Sequence, residues 1–209
     1  MDKSRYVGNS SREAEAPSPG IYNPRMAILK VAHMGHPVLR AKARPLEAAE
    51  IRSAALQQLV DDMFETMAEY QGVGLAAPQV HTSVRLFVAG FPEPEDHDED
   101  DEPAMPQMVL INPEITIVGK EVQEDWEGCL SIPEVRGRVP RATQIVVRAY
   151  DRHGKRVEIK AANFTARVIQ HETDHLDGVL FFDRMKSLET LTFLEEFSRY
   201  WSRRDIREE

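Results

Sequence analysis

The feature that most constrains this chain is the pentapeptide HETDH at residues 171–175. Residues four apart lie one turn apart on the same face of an α-helix, so the two imidazoles can bind one metal ion. Glu172 flanks the same face and can reach a water molecule on that metal. Two histidines with a carboxylate base are typical of metal-assisted hydrolysis. The pattern is short, and a surface helix can carry it by chance, so it requires a helical context and a third ligand.

Length and composition favour one soluble globular domain. The chain has 209 residues, enough for one sizeable core, and 42% of them are hydrophobic. It has no membrane-length apolar run and no signal-peptide core, and its single cysteine excludes an internal disulfide, so we expect a cytoplasmic protein. The net charge of −9 comes largely from eight acidic residues between 93 and 102, and without them it is −1. No basic stripe is present, so we expect neither a membrane nor DNA as a partner.

The chain divides into a tail, a domain and a final helix. Residues 1–25 show no hydrophobic period, which predicts a flexible N-terminal tail. Residues 26–186 are predicted to form the catalytic domain. Within it, the acidic stretch 92–106 is predicted to be a solvated loop insert rather than a calcium site, because it lacks the spaced ligands and glycine of a calcium loop. Residues 187–209 are predicted to form a helix capped by Ser187, which packs on the domain or projects from it.

Hydrophobic periodicity predicts an α+β fold. Apolar residues at helical spacing indicate an amphipathic helix over 51–70, with Ala55 and Tyr70 on its apolar face and Gly72 as its end. Asn163 is expected to cap a helix of about a dozen residues that carries both histidines, with Gly178 as its stop. The segment 72–79 is expected to be irregular because of its glycines and proline. Strands are predicted at 84–89, 108–111, 115–118, 145–150, 156–159 and 179–182. Strands grouped together with helices outside them are typical of α+β domains.

A third metal ligand is available in the segment EGCLSIP at residues 127–133. A catalytic metal needs three protein ligands and one open position. Gly128 and Pro133 indicate that Cys129 lies in a bent segment, from which its thiolate could complete a Cys-His-His site. The alternative is an inert buried cysteine, a common environment for this residue type. The residues alone leave both interpretations open.

Three segments taken together resemble the motifs of peptide deformylases. They read GVGLAAPQ at 72–79, EGCLS at 127–131 and QHETDHLDG at 170–178, and the resemblance covers roughly residues 26–183. It implies a single α+β domain with mixed or antiparallel sheets around the metal-binding helix. The implied reaction removes the N-formyl group from the formyl-methionine of nascent polypeptides and releases formate. The implied cofactor is one divalent metal ion, usually Fe²⁺, with Zn²⁺, Ni²⁺ or Co²⁺ as alternatives.

The resemblance also implies roles for individual residues. Glu172 matches the catalytic glutamate, and the Gln79 amide and the backbone N–H of Leu130 match the groups that hold the oxyanion. The implied metal ligands are Cys129, His171 and His175.

The expected substrate is an N-formyl-methionyl nascent peptide that binds in an extended conformation along an exposed sheet edge. Its methionine pocket is expected beside the metal helix, one and two turns before His171. Arg167 occupies a position where an apolar residue is expected, and we expect its stem to line the pocket and its head to reach solvent. The predicted substrate-binding residues are Val73, Gly74, Gly128, Phe164 and Val168.

Several alternatives remain open at this point. The same motif occurs in metallopeptidases that cut internal amide bonds, and a structural metal module would need a fourth protein ligand, for which there is no obvious candidate. Arg136 and Arg141 are either surface ion pairs or contacts to the substrate or an acidic neighbour. Asp174 is either a partner of the metal site or solvated. A possible contact with the ribosome is suggested by the arginines of the C-terminal helix, which are Arg199, Arg203, Arg204 and Arg207.

Overall fold

The computed structural model describes residues 26–92 and 105–202. The predicted tail 1–25, most of the acidic insert and residues 203–209 therefore lie outside the described residues. The predicted division of the chain into tail, domain and final helix stays a prediction.

Two antiparallel sheets form the framework of the described residues. The strands are β1 (Gly74–Ala76), β2 (Leu86–Ala89), β3 (Met108–Ile117), β4 (Val122–Cys129), β5 (Ile132–Ala142), β6 (Gln144–Tyr150), β7 (Arg156–Ala162) and β8 (Thr192–Phe193). The larger sheet has the order β1-β2-β3-β6-β7, and the smaller has the order β4-β5-β8. Strands β1 and β4 are therefore edge strands.

Four α-helices accompany the sheets in the described part of the chain. They are α1 (Ala48–Ile51), α2 (Ala54–Glu69), α3 (Asn163–Leu176) and α4 (Leu194–Tyr200). Single 3₁₀ turns lie at Pro37–Arg40, Ala77–Val80, Phe181–Arg184 and Leu188–Thr190. None of the helices in the described ranges is both long enough and apolar enough to cross a membrane.

The helix α3 lies between the two sheets, as expected for an α+β fold around the metal helix. Every residue of β2 is buried, because helices cover both faces of the larger sheet. Successive strand residues point to opposite faces. Phe87 and Ala89 accordingly share a core cluster with α3 residues, whereas Leu86 and Val88 share one with α2 residues. The opposite side of α3 contacts β5 of the smaller sheet.

The predicted helix over 51–70 is present but interrupted. A new helix starts after Ser53, whose hydroxyl oxygen accepts a hydrogen bond from the Leu56 N–H at 3.2 Å, as expected of an N-cap. Its buried apolar face consists of Leu56, Val60, Met63 and Met67. The predicted face was wrong at Ala55 and Tyr70, which are exposed.

The end of α2 also differs from the prediction. Gln71, not Gly72, adopts the left-handed conformation, with φ of 54°. The Gly72 N–H then donates to the Met67 carbonyl oxygen at 2.8 Å, which closes the helix end. The following segment 72–79 is not irregular, because it contains β1 and the 3₁₀ turn at Ala77–Val80.

The helix α3 begins differently from the prediction and ends as predicted. Ala162 is its N-cap and makes no side-chain capping hydrogen bond, so the predicted Asn163 cap was wrong. The Asn163 N–H donates instead to the Thr143 carbonyl oxygen at 2.8 Å. Gly178, with φ of 74°, follows the end of the helix, and a Cβ there would lie 2.7 Å from the Arg40 carbonyl oxygen.

Several strands also differ from the prediction. The segments 108–111 and 115–118 belong to one strand, β3, with an irregularity between Ile111 and Glu114. The predicted strand at 179–182 is absent from the structure, where a 3₁₀ turn begins at Phe181. The hairpin formed by β4 and β5 was not predicted. The predicted turn at 151–155 is confirmed, with Gly154 at φ of 78°.

The prediction of one continuous C-terminal helix from Ser187 was wrong, and only Leu194–Tyr200 is α-helical in its described part. Ser187 caps only a 3₁₀ turn, β8 follows it, and α4 spans no more than Leu194–Tyr200. The chain extends here because Thr192 and Phe193 pair with Arg136 and Val135 of β5. This pairing satisfies backbone groups that an unpaired strand edge would leave open.

Candidate active site

The end of β4 and the C-terminal half of α3 bring Cys129, His171 and His175 together. Their ligand atoms all lie within 4.8 Å of one another, and Cys129 Sγ is 3.2 Å from His175 Nε2. A tetrahedral ion with bonds of about 2.0–2.3 Å separates its ligands by about 3.3–3.8 Å, so this cluster fits a metal after small adjustments. Within residues 26–92 and 105–202, no fourth histidine, cysteine or carboxylate joins the cluster.

The bend predicted next to Cys129 is present and explains how a strand residue reaches the helix. The register of β4 with β5 shifts between Gly128 and Cys129, and Leu130 and Ser131 then form a two-residue turn. His175 is almost fully buried, and burial lowers its pKa well below the usual value. The lowered pKa favours the neutral imidazole, the form that binds a metal. For His171, burial lowers the pKa, but hydrogen bonds with Cys129 and Glu127 raise it well above the usual value.

Glu127 fixes the orientation of His171. Its Oε2 lies 2.9 Å from His171 Nδ1, and because an ionised carboxylate only accepts, Nδ1 must carry the hydrogen. His171 Nε2 is then left for the metal. Burial alone would raise the pKa of Glu127, but its hydrogen bonds to His171 and Arg141 lower the pKa to about 2. The carboxylate is therefore charged at neutral pH.

Two arginines share the Glu127 carboxylate. Arg141 donates to it at 2.9 and 3.0 Å, and Arg167 donates at 2.8 Å. Arg167 also donates to the carbonyl oxygens of Val139 and Gln123, each at 2.8 Å. The expectation that the head of Arg167 reaches solvent was therefore wrong: only 8% of this residue is exposed. Its guanidinium group instead donates hydrogen bonds to acceptors on β4 and β5.

The structure also decides between the alternatives for Arg141 and Asp174. Arg141 bridges two buried carboxylates, because it also donates to Asp174 at 2.6 Å. Asp174 accepts a further bond from Arg184 at 2.6 Å. Neither residue is a surface group. Together, Arg141 and Asp174 connect the Glu127 carboxylate to Arg184 through a chain of hydrogen bonds.

The environment of Glu172 differs from that of Glu127, because it raises the pKa of the carboxyl group. Glu172 is 4% exposed, and burial raises its pKa to about 7. Its Oε2 has no hydrogen-bond partner among the described residues. Gly74 makes room for this carboxyl group: a Cβ at position 74 would lie 2.4 Å from Glu172 Oε1. The glycine is thus needed for close approach.

The Gln79 side chain is held with its amide nitrogen toward the metal cluster. Its Oε1 accepts a hydrogen bond from the Ala76 N–H at 2.7 Å, so the NH₂ group must lie on the other side. Nε2 donates to Ser131 Oγ at 3.2 Å and lies 3.6 Å from Cys129 Sγ. Leu130, in the turn after β4, lines the same cleft.

Almost all the predicted site residues line one cleft of about 660 Å³. His175 is the exception, because it lies behind the cleft wall. All five predicted substrate-binding residues line the cleft, with Val168 buried and Phe164 53% exposed. Lining residues that the sequence did not predict include Trp126 and Leu194. Trp126 lies on β4, and Leu194 follows β8 directly. The sequence did not predict either of these strands.

Three side chains that could hold one metal ion, with a buried carboxyl group beside them, are the arrangement typical of metal-dependent hydrolases. The sequence profile of the family described as Polypeptide deformylase matches residues 28–191. The chain therefore belongs to the polypeptide deformylase family and is an enzyme of that class.

Curated relatives and solved structures agree with this assignment. The chain is 45% identical over 169 residues to peptide deformylase 1 of Bordetella pertussis, which spans 81% of this chain and 92% of that protein. It is 44% identical over 183 residues to peptide deformylase of Salinibacter ruber, with 87% and 88% covered. A Met-Ala-Ser-bound deformylase structure from Acinetobacter baumannii superposes with a TM-score of 0.69 at 42% identity, covering 76% of this chain and 99% of that one.

We expect Glu127→Gln to weaken metal binding by about 10- to 100-fold, the usual effect of removing a partner of a metal-binding histidine. The variant loses the charge that the two arginines and His171 share. Competition with a chelator measures the metal affinity. Glu124→Gln is the matched control, because Glu124 lies three residues away and its carboxylate forms an ion pair with Lys186 at 3.6 Å, outside the metal cluster. Equal affinities for both variants would contradict the role given to Glu127.

We expect Gly74→Ala to reduce turnover by about 100-fold, a typical effect of misplacing a catalytic group by about 1 Å. The added Cβ forces the Glu172 carboxyl group away from its position, while the three metal ligands stay in place. Steady-state kinetics and metal analysis test both parts. Val118→Ala is the control, because this side chain is 41% exposed and does not line the cleft. Full activity in Gly74→Ala would contradict the prediction.

Proposed function

We propose that this protein removes the N-formyl group from the formyl-methionine of nascent polypeptides in the cytoplasm and releases formate. The observation that carries the proposal is the position of the buried Glu172 carboxyl group beside the Cys129–His171–His175 cluster, of which Cys129 and His171 line the same cleft as Glu172. Family membership supports the reaction. The Acinetobacter baumannii relative bound to Met-Ala-Ser supports a peptide substrate.

Cys129, His171 and His175 would hold one divalent ion. When bound, such an ion supplies Lewis-acid polarisation of the formyl carbonyl and lowers the pKa of the attacking water. One sulfur and two imidazole nitrogens suit Fe²⁺ and Zn²⁺ alike. We propose Fe²⁺ as the ion used in the cell, with Zn²⁺, Ni²⁺ or Co²⁺ as alternatives.

Glu172 is proposed as the proton carrier. A pKa of about 7 suits a group that must take up and release a proton near neutral pH. Its unpartnered Oε2 is available to accept the proton of the attacking water. The same carboxyl group then delivers that proton to the leaving amine nitrogen, which completes the cleavage of the formyl C–N bond.

Gln79 and Leu130 are proposed to stabilise the oxyanion. The Gln79 amide is held by Ala76 and Ser131 before substrate binds, so its N–H groups need no reorganisation during the reaction. The Leu130 backbone N–H is the second proposed donor. A donor of this kind typically contributes about 3–4 kcal/mol to the transition state.

The substrate is proposed to bind as an added strand between two sheet edges. Strand β1 is an edge of the larger sheet and β4 an edge of the smaller one, and residues of both line the cleft. An extended peptide can therefore pair with backbone groups near Val73, Gly74 and Gly128. Its methionine side chain would pack against Phe164 and Val168 of α3.

Glu172→Gln is expected to keep its metal and to lower kcat by about 10²- to 10⁴-fold, the usual contribution of a positioned acid–base group. Formate release from formyl-Met-Ala-Ser is the measurement. Glu114→Gln, an exposed position on β3, is the control and should match the unmodified chain. Retained turnover in Glu172→Gln would remove the assigned role. Cleavage of unformylated Met-Ala-Ser by the unmodified chain would instead favour a metallopeptidase.

We expect protein purified without oxygen to contain close to one iron per chain and to lose activity in air, because Fe²⁺ is oxidised. Metal analysis before and after exposure to air tests this. Reloading with Ni²⁺ or Zn²⁺ provides the control, since neither ion is oxidised by air. Stoichiometric zinc with air-stable activity in the purified protein would contradict iron as the native metal.

A contact with the ribosome is a further proposal for the C-terminal region. Arg199, within α4, carries positive charge there but pairs with Glu195 and Glu196. The other three arginines on which the proposal rests lie outside the described residues. Co-sedimentation of the full chain with ribosomes, with and without Arg199→Glu, tests it.

A further inference from the structure

The C-terminal segment at residues 192–201 lies beside the substrate cleft. Its first two residues form β8, in which Phe193 pairs with Val135 and Thr192 with Arg136. Leu194 follows directly and lines the cleft. The pairing with β5 therefore fixes where the Leu194 backbone lies. Because 39% of Leu194 is exposed, apolar surface remains available to a ligand.

Phe197 of α4, and Trp201 directly after it, contact side chains that line the cleft, Trp126 and Arg136. The Phe197 ring lies 4.8 Å from the Trp126 ring at an interplanar angle of 67°, an edge-to-face contact. The Trp201 ring lies 5.4 Å from Trp126. The guanidinium carbon of Arg136 lies 5.5 Å from the centre of the Phe197 ring, within cation–π range.

The cleft thus has apolar groups from two sides of the fold. Phe164 and Val168 come from α3, and Trp126 and Leu194 come from the smaller sheet and its continuation. The groups assigned to metal binding and proton transfer come from α3, the β1–β2 region and the β4–β5 turn. None of them belongs to the segment 192–201. A change in this segment should therefore affect binding of a substrate side chain more than the chemical step.

We propose that the segment 192–201 is a specificity-determining wall of the substrate cleft. Leu194 contacts the large apolar side chain of the bound N-formyl peptide. Phe197 and Trp201 are positioning residues that hold Trp126 against the same ligand. This inference rests on the proposed deformylation of formyl-methionyl peptides and adds the element that recognises the side chain.

Leu194→Ala tests the contact, with Leu191→Ala as a matched control. Leu191 is the same residue type, lies three positions earlier and is also 39% exposed, but it does not line the cleft. For formyl-Met-Ala-Ser we expect Leu194→Ala to raise KM by about three- to tenfold at nearly constant kcat, the effect of removing a few buried methyl groups. For formyl-Ala-Ala-Ser, whose side chain is too short to use the wall, KM should change little.

Phe197 provides a test of the positioning role. Phe197→Ala should raise KM for formyl-Met-Ala-Ser and shift the fluorescence of Trp126 measured in a Trp201→Phe background. Phe197→Tyr keeps the ring and should restore both. A thermal unfolding curve for each variant checks that it folds. A change in stability without a change in methionine-over-alanine preference would mean that the segment is only structural.

The two proposals fail in different ways. If Leu194→Ala and Leu191→Ala show the same preference for formyl-Met-Ala-Ser over formyl-Ala-Ala-Ser, the inference about the wall is overturned while deformylation stands. Should the unmodified chain release no formate from either peptide, the proposed function itself fails. Binding of the product Met-Ala-Ser, followed by fluorescence, then still reports whether Leu194 contributes to the cleft.

Discussion

The buried Glu127 carboxylate is the interaction on which the site depends. It accepts hydrogen bonds from His171, Arg141 and Arg167, which come from α3 and β5, while Glu127 itself lies on β4. An isolated buried carboxylate would cost several kcal/mol, so it is tolerated only with this many donors. The arrangement joins two of the three strands of the smaller sheet, β4 and β5, to α3. The position of His171 is therefore set by the packing of three elements, not by the helix alone.

The two carboxyl groups of the site show how environment separates their roles. Both are almost fully buried, yet the pKa of Glu127 is about 2 and that of Glu172 about 7. Glu127 has charged donors on both oxygens, whereas Glu172 has an oxygen without a partner among the described residues. A carboxylate that stays charged can orient a ligand, and one that titrates near neutrality can move a proton. The difference comes from their neighbours, since both are glutamates.

Local signals in the sequence predicted the helix of the motif and the hairpin at 151–155, and three joint motifs identified the residues that meet in the cleft. Strand β5 escaped prediction because Pro133 and Pro140 argue against a strand, although prolines are compatible with its ends and irregular edges. The inward turn of Arg167 depends on acceptors from β4 and β5, far away in sequence. The C-terminal helix was overpredicted because Thr192 and Phe193 pair with β5, a contact distant in sequence that overrides the helical spacing of the apolar residues.

Edge strands decide where a peptide can enter this fold. An unpaired strand edge offers backbone donors and acceptors to any extended chain. Strand β8 covers part of β5 at Val135 and Arg136, so that edge of the smaller sheet is occupied by the chain itself. The edges at β1 and β4 border the cleft that Cys129, His171 and Glu172 line. The pairing of the C-terminal segment with β5 therefore has two effects: it covers the edge of β5 at Val135 and Arg136, and it places Leu194 in the lining of the cleft, where the edges of β1 and β4 remain unpaired.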